Sequence, residues 1–274
     1  MLDAVAAGPA SGPVVLLLHG FPQSSHEWRH QLPALAAAGY RAVAPDLRGY
    51  SSRARPEPVE AYHADHLVAD VLAVIGHLGV EQVDLVGHDW GGIVAWLVAG
   101  RHPDRLRSLT AFSVGHPRAL AQALASPGRD QAVRSAYVRF FQLPKVPERL
   151  MLAGEGAGLR ALFANTAFTD REAMDHYVSV LREPGALTAA VNWYRALDMG
   201  ILRGMGSIAV PTLYLWGTDD PALGREAAEG TAAFMTGPYR FVELQDVGHW
   251  IPEEVPDDVN RLLLDHLAAI SAPP

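Results

Sequence analysis

The chain has 274 residues, enough for a large buried core in one domain that carries an insertion. Hydrophobic residues make up 49% and charged residues 19%, and a net charge of -8 without a basic run gives no reason to expect a nucleic-acid partner. Cysteine is absent, which excludes disulfides, thiolate zinc sites and cysteine nucleophiles.

No apolar run approaches the ~18 residues of a membrane span, and the opening MLDAVAAGPASG lacks the basic and apolar regions of a signal peptide. A soluble, cytoplasmic protein without a membrane partner is expected. In chain order, VVLLL at residues 14–18 reads as a buried strand and leads into His19-Gly20-Phe21-Pro22. A helical pattern over 26–38 precedes a strand at 41–44, followed by Pro45-Asp46-Leu47-Arg48-Gly49-Tyr50. A helix over 66–78 precedes a strand at 83–86, which runs into Gly87-His88-Asp89-Trp90-Gly91-Gly92 and a helix over 91–101. A fourth strand is read at 106–112. The rhythm then breaks. Residues 117–206 contain no convincing buried strand, only helical segments at 118–124, 131–141, 147–152, 160–163, 170–181 and 186–198. Strands return at 212–216 and 240–244, each followed by a helix, at 224–234 and 255–268.

Strands alternating with helices predict an α/β fold with a mostly parallel sheet flanked by helices. A helical insertion after the fourth strand predicts a cap over the strand ends, where open α/β sheets hold their ligands. The expected division is a core of residues 1–116 and 207–274 with a cap of residues 117–206.

Strand, tight turn and helix around Asp89 have the small-x-nucleophile-x-small pattern of a nucleophile elbow. The central residue is strained and its neighbours must be small, because a side chain on either flank clashes with the adjacent strand or helix. The helix N-terminus favours a negative charge there. A blander role for Asp89 is a helix N-cap. As a nucleophile, an aspartate differs from a serine. Carbonyl attack gives an anhydride that reverts, whereas attack on an sp3 carbon gives an alkyl ester that water then cleaves. Epoxides and alkyl halides suit that chemistry.

A fold built on such an elbow orders its groups as nucleophile, acid and histidine. After the strand at 212–216 comes Gly217-Thr218-Asp219-Asp220-Pro221, and Asp220, fourth in a GxxD pattern, is preferred to Asp219 as the acid. After the strand at 240–244 comes Asp246-Val247-Gly248-His249-Trp250, and place alone distinguishes His249 among twelve histidines. His19 and His88 read as structural neighbours.

HGFP…W, PDLRGY, GHDWGG, NWYR, WGxxD and GHW occur here in that order, spanning about residues 14–268. In this the chain resembles the α/β-hydrolase-fold epoxide hydrolases, the soluble type above all. GHDWGG and NWYR are the specific motifs; HGxP and GxxD are weak alone. The resemblance implies an oxyanion hole from the backbone N–H groups of Phe21 and Trp90, and a Phe21–Pro22 bond that is either cis or trans. It also implies two cap tyrosines that hydrogen-bond to the epoxide oxygen. One matches Tyr194 in Asn192-Trp193-Tyr194-Arg195; the other matches Tyr137 in the Y-x-x-x-F-Q segment that ends at Gln142. A phenol of pKa about 10 is protonated at neutral pH and donates to a developing alkoxide. The implied reaction is hydrolysis of an epoxide to a diol through an ester on Asp89, with no metal or organic cofactor and with a small-molecule epoxide and water as partners. Phe141, Phe163, Phe168, Trp193 and Trp250 are expected to line the substrate site.

Haloalkane dehalogenases share the fold and the aspartate. Phe21 stands where they commonly carry an asparagine, and Trp90 where fluoroacetate dehalogenases carry an arginine. A non-catalytic binding member of the fold is a third reading, which the intact triad opposes. The chain departs from the family at its short N-terminus, which leaves room for at most one strand before the HGFP strand. It also has Ser51-Ser52-Arg53-Ala54 where many relatives have Gly-x-Ser. The oligomeric state, monomer or homodimer, is not read from the sequence.

Overall fold

The computed structural model describes residues 2–128, 130–164 and 166–271. Within them, β1 (Ala4–Ala7), β2 (Val14–Leu18), β3 (Arg41–Pro45), β4 (Val83–His88), β5 (Leu106–Phe112), β6 (Thr212–Gly217) and β7 (Tyr239–Leu244) form one sheet. The strand order is β1-β3-β2-β4-β5-β6-β7. β1 pairs antiparallel with β3, and all other pairings are parallel. One strand precedes β2, where at most one was expected. It is tied down by the Ser51–Arg53 loop: the Ser51 hydroxyl and the Arg53 guanidinium both donate to the Asp3 carboxylate, at 2.7 and 2.6 Å.

The central strands are continuous apolar runs because both sheet faces are covered. Val14, Leu16 and Leu18 of β2 pack on one face with α2 (Ala64–His77) and α3 (Trp90–Arg101). Val15 and Leu17 pack on the other with α1 (Gln31–Ala37) and the C-terminal helix (Pro256–Ser271). Each such fully buried side chain contributes about 1.5–3 kcal/mol relative to exposure. α3 is apolar almost all round and is buried from Trp90 to Ala99 except at Ile93.

Among the described residues seven α-helices lie between β5 and β6: α4 (Pro117–Ala125), α5 (Asp130–Arg134), α6 (Tyr137–Phe141), α7 (Val146–Arg160), α8 (Arg171–Leu181), α9 (Ala186–Arg195) and α10 (Met199–Gly204). After β6 comes α11 (Arg225–Gly230), and after β7 come α12 (Ile251–Glu254) and α13 (Pro256–Ser271).

Several helices expected as single units are broken. Residues 26–38 divide into a 3-10 turn, Ser25–Arg29, and α1, whose Pro33 fits only a first turn. The stretch 131–141 is two short helices, and the helix read at 186–198 is α9, which ends at Arg195 ahead of a separate α10 from Met199. The helix read at 224–234 is α11 followed by a 3-10 turn, Thr231–Phe234. At the C-terminus, Val255 leaves helical geometry at φ -135° and ψ 57° before Pro256, so α12 and α13 are distinct. α7 is two helical pieces, the first ending at Leu152 as read from the sequence: Ala153 is extended at ψ 149°, and Gly154, Glu155 and Gly156 follow at φ 55°, 58° and 88° before the second piece runs to Arg160. Among the described residues no helix is long and apolar enough to cross a membrane.

Candidate active site

β4 delivers Asp89 into a turn at φ 49° and ψ -120°, and α3 starts at the next residue. Such a conformation costs a non-glycine residue on the order of 1–3 kcal/mol and persists only where its surroundings enforce it. Two glycines show the crowding. A Cβ on Gly20 would lie 2.4 Å from the Asp89 Cβ, and one on Gly91 would lie 2.1 Å from the Leu18 carbonyl oxygen. Asp89 makes no side-chain cap to α3, so the N-cap role does not apply. Instead its Oδ1 accepts the Phe21 N–H at 2.9 Å, and its Oδ2 lies 3.4 Å from His249 Nε2. The Phe21–Pro22 bond is cis. Trp90 opens α3, and its ring packs edge-on against Tyr194 and Trp193, with centroids 5.0 and 5.6 Å apart.

His249 follows β7, and its Nδ1 donates to Asp220 Oδ2 at 2.8 Å. Asp220, fully buried after β6, is fixed by the N–H groups of Ala222 and Leu223 on its Oδ1, at 2.8 and 2.9 Å. Asp219 is exposed and does not pair with His249 in the way that Asp220 does. Burial opposes charge on His249, but Asp220 and Asp89 outweigh it and raise its pKa to about 10. For Asp89 burial raises the carboxyl, yet His249, His88 and the Phe21 N–H hold it below its ordinary value. The resting site is thus an imidazolium between two carboxylates.

Above this group opens a cavity of about 780 Å³. Asp89 and His249 line it from the sheet side, and Tyr137, Phe141 and Tyr194 line it from the insertion. The two tyrosine rings are 6.1 Å apart, and Tyr194 packs on Phe21 at 5.5 Å. Tyr194 is 3% exposed and Tyr137 38%; loss of water around each hydroxyl first, and then the charge of Asp89, push both phenols above the ordinary tyrosine value, so both are neutral donors at physiological pH.

Of the aromatics expected to line the site, Phe141 and Trp250 do so. Phe163 and Phe168 do not. They pack with Tyr177 and Trp250 in a separate apolar cluster, the Phe163 and Trp250 rings 4.8 Å apart. Trp193 faces away as well: its Nε1–H donates to the Arg48 carbonyl at 2.9 Å behind Trp90. Helical periodicity marks these residues as buried without saying against which surface. The lining the sequence did not single out includes Phe140, Leu150, Met151 and Leu162. It also missed Glu27, fully buried beside the elbow, because residues 26–38 read as one amphipathic helix with a solvent face.

Among the described residues no group of three or more histidine, aspartate or glutamate side chains is placed to hold a metal ion. Residues 13–256 match the family described as alpha/beta hydrolase fold. Over 270 residues the chain is 36% identical to the AB hydrolase superfamily protein YfhM of Bacillus subtilis, covering 97% of this chain and 94% of the relative. It is 36% identical over 311 residues to Epoxide hydrolase A of Mycobacterium tuberculosis, covering 98% and 94%. The crystal structure of Epoxide Hydrolase A from Mycobacterium thermoresistibile superposes with a TM-score of 0.86 at 32% identity, covering 97% of this chain and 94% of that one. With its elbow, its sheet order and these relatives, the chain belongs to the α/β-hydrolase-fold family as an enzyme of the epoxide hydrolase type.

Proposed function

We propose that the protein hydrolyses an epoxide to a vicinal diol through a covalent ester on Asp89, with residues 117–206 acting as the cap over the site. The observation that carries this reading is the pair of neutral phenols, Tyr137 and Tyr194, facing the same cavity as a charged, unprotonated Asp89. A nucleophile on one wall and proton donors on the other suit a strained ether, whose leaving oxygen stays on the substrate and needs a proton. The other ionisable groups lining the cavity, apart from His249, are Asp219, Asp246 and Glu254, all acidic, which supports a neutral substrate over one bearing a carboxylate.

Asp89 Oδ2 attacks an epoxide carbon, the C–O bond breaks, and Tyr137 or Tyr194 gives its proton to the leaving oxygen. Ester formation removes the negative charge of Asp89. His249 then keeps only Asp220 as a counter-charge, its proton affinity falls, and its proton refills the phenolate. Neutral His249 takes a proton from water, and the hydroxide adds to the Asp89 carbonyl carbon. The N–H groups of Phe21 and Trp90 stabilise the oxyanion. As the intermediate collapses, His249 returns that proton to the departing diol oxygen. It then recovers one from the Asp89 carboxyl, which restores the starting charges.

A single turnover in heavy-oxygen water, with enzyme in excess, tests the sequence. The label is expected in the Asp89 carboxylate and absent from the first diol; label in the first diol overturns the covalent route. A panel of epoxides and haloalkanes, assayed side by side, tests the substrate class, with diol formation expected and halide release not.

A further inference from the structure

Behind Asp89 lies a second buried charge pair that the reaction above does not use. Glu27 Oε1 and His88 Nδ1 approach to 2.7 Å, and both side chains are fully buried. The contact is an ion pair rather than an aligned hydrogen bond, since neither atom has a well-aligned partner. Each member also reaches a backbone group of the site. Glu27 Oε2 accepts the Gly20 N–H at 3.3 Å, one residue before the Phe21 N–H that holds Asp89. His88 Nε2–H donates to the His249 carbonyl at 2.8 Å, and the Ser113 hydroxyl donates to the same oxygen at 2.7 Å. His88 is itself the residue before Asp89.

One pair therefore touches the oxyanion loop, the elbow and the histidine loop. β2 and β4 pair directly, with Leu18 opposite Gly87, whereas β7 lies three strands from β4, so the histidine loop reaches the elbow across two intervening strands. Burying two charges is costly, and an apolar pair would fill the same space more cheaply. An ion pair adds direction, because both partners carry further hydrogen-bonding atoms at fixed angles. We propose that Glu27 and His88 are positioning residues that hold the Phe21 N–H and the His249 ring in register with Asp89. This rests on the reading of Asp89 and His249 as the reacting groups.

The titratable groups facing the pair are Asp89, His249, His19, Tyr50, Tyr177 and Glu253, with Trp250 alongside. Burial opposes charge on His88, and Glu27 more than offsets it, so that His88 is raised above the ordinary histidine value. Glu253 is itself neutralised from the far side by Arg29, with Gln23 and the Tyr177 hydroxyl as further donors.

Glu27→Gln keeps an acceptor for Gly20 and removes the charge; His88→Gln keeps a donor for the His249 carbonyl and removes the charge. Each single variant leaves a buried charge unmatched, whereas the double variant restores a neutral amide pair. Each single change is expected to lower kcat roughly ten- to a hundredfold with KM nearly unchanged, and the double variant is expected to recover most of that loss. Losses that simply multiply in the double variant, or singles with unchanged kcat, overturn the proposal. Nitrogen-15 spectra of the imidazoles in the intact protein give a reading that needs no substrate. Both His88 nitrogens are expected to carry protons at neutral pH, and the His249 resonances are expected to move in Glu27→Gln. A singly protonated His88 in the unsubstituted protein, or unmoved His249 resonances, overturns the pair whether or not any epoxide is turned over. Failure to open epoxides with those signals present refutes the assigned reaction instead.

Discussion

The two walls of the cavity are built differently. On the sheet side Asp89, Asp220 and His249 stand at strand ends and are buried; backbone N–H groups hold the two carboxyl groups, and Asp220 in turn holds the His249 ring. On the insertion side Tyr137 and Tyr194 come from short helices, neutral and surrounded by aromatic rings. The difference teaches a division of labour. In the proposed reaction the rigid wall holds the nucleophile and the base. The helical wall supplies neutral donors and shape, which tolerate looser anchoring.

That division is open to attack from either side. The largest effect is expected from Asp89→Ala, which removes the proposed nucleophile; turnover should fall roughly 10^4-fold or more, and residual activity near the wild-type rate ends the covalent reading. His249→Gln should act only on the second half of the reaction. The ester forms and persists, so intact mass rises by one substrate while steady-state turnover drops on the order of 10^3-fold. The double change Tyr137→Phe, Tyr194→Phe should act only on the first half, slowing ester formation by about 10^3-fold without an accumulated adduct. If that variant instead piles up ester, the two walls do not divide the steps.

A smaller effect concerns stability. His249 has a folded pKa of about 10 against an ordinary 6.5, so the ion network stabilises the fold fully below pH 6.5 and loses that contribution as pH rises towards 10. Wild-type stability should decline across that window, by a few kcal/mol in order of magnitude, and His249→Gln should flatten the decline in denaturant titrations. The smallest effect is expected on the apolar lining. Met151→Ala should change the kcat/KM ratio between a bulky and a small epoxide by roughly tenfold or less, with the rate of ester hydrolysis unchanged.

What could be read in advance follows the same division. Six strands were legible because β2, β4, β5 and β6 are apolar runs buried on both faces, and the elbow was legible because steric demand restricts its flanks to glycine. β1 was not, since Ala4–Ala7 is a mostly exposed edge strand held through its pairing with β3. Asp220 and His249 followed from their places after strands. Glu27 did not, because a glutamate in a helical pattern looks solvated until the tertiary fold closes over it. Phe163, Phe168 and Trp193 declared burial but not direction, and the break in α7 sets a non-glycine residue, Glu155, at positive φ between two glycines, which a helical pattern does not announce. The substrate site is half written in strand-end motifs, and half in the packing of helices whose pattern specifies little beyond a buried face.

The two close approaches at Gly20 and Gly91 have a consequence for how such an enzyme changes over generations. Neither position accepts a methyl group without displacing the nucleophile or the β2 backbone, so these two positions beneath the pocket are held to glycine. The apolar side chains overhead, Leu150 and Met151 among them, meet no such barrier. New substrates are reached by redecorating the ceiling, and laboratory selection for altered specificity should return its mutations there while leaving the glycines beneath untouched.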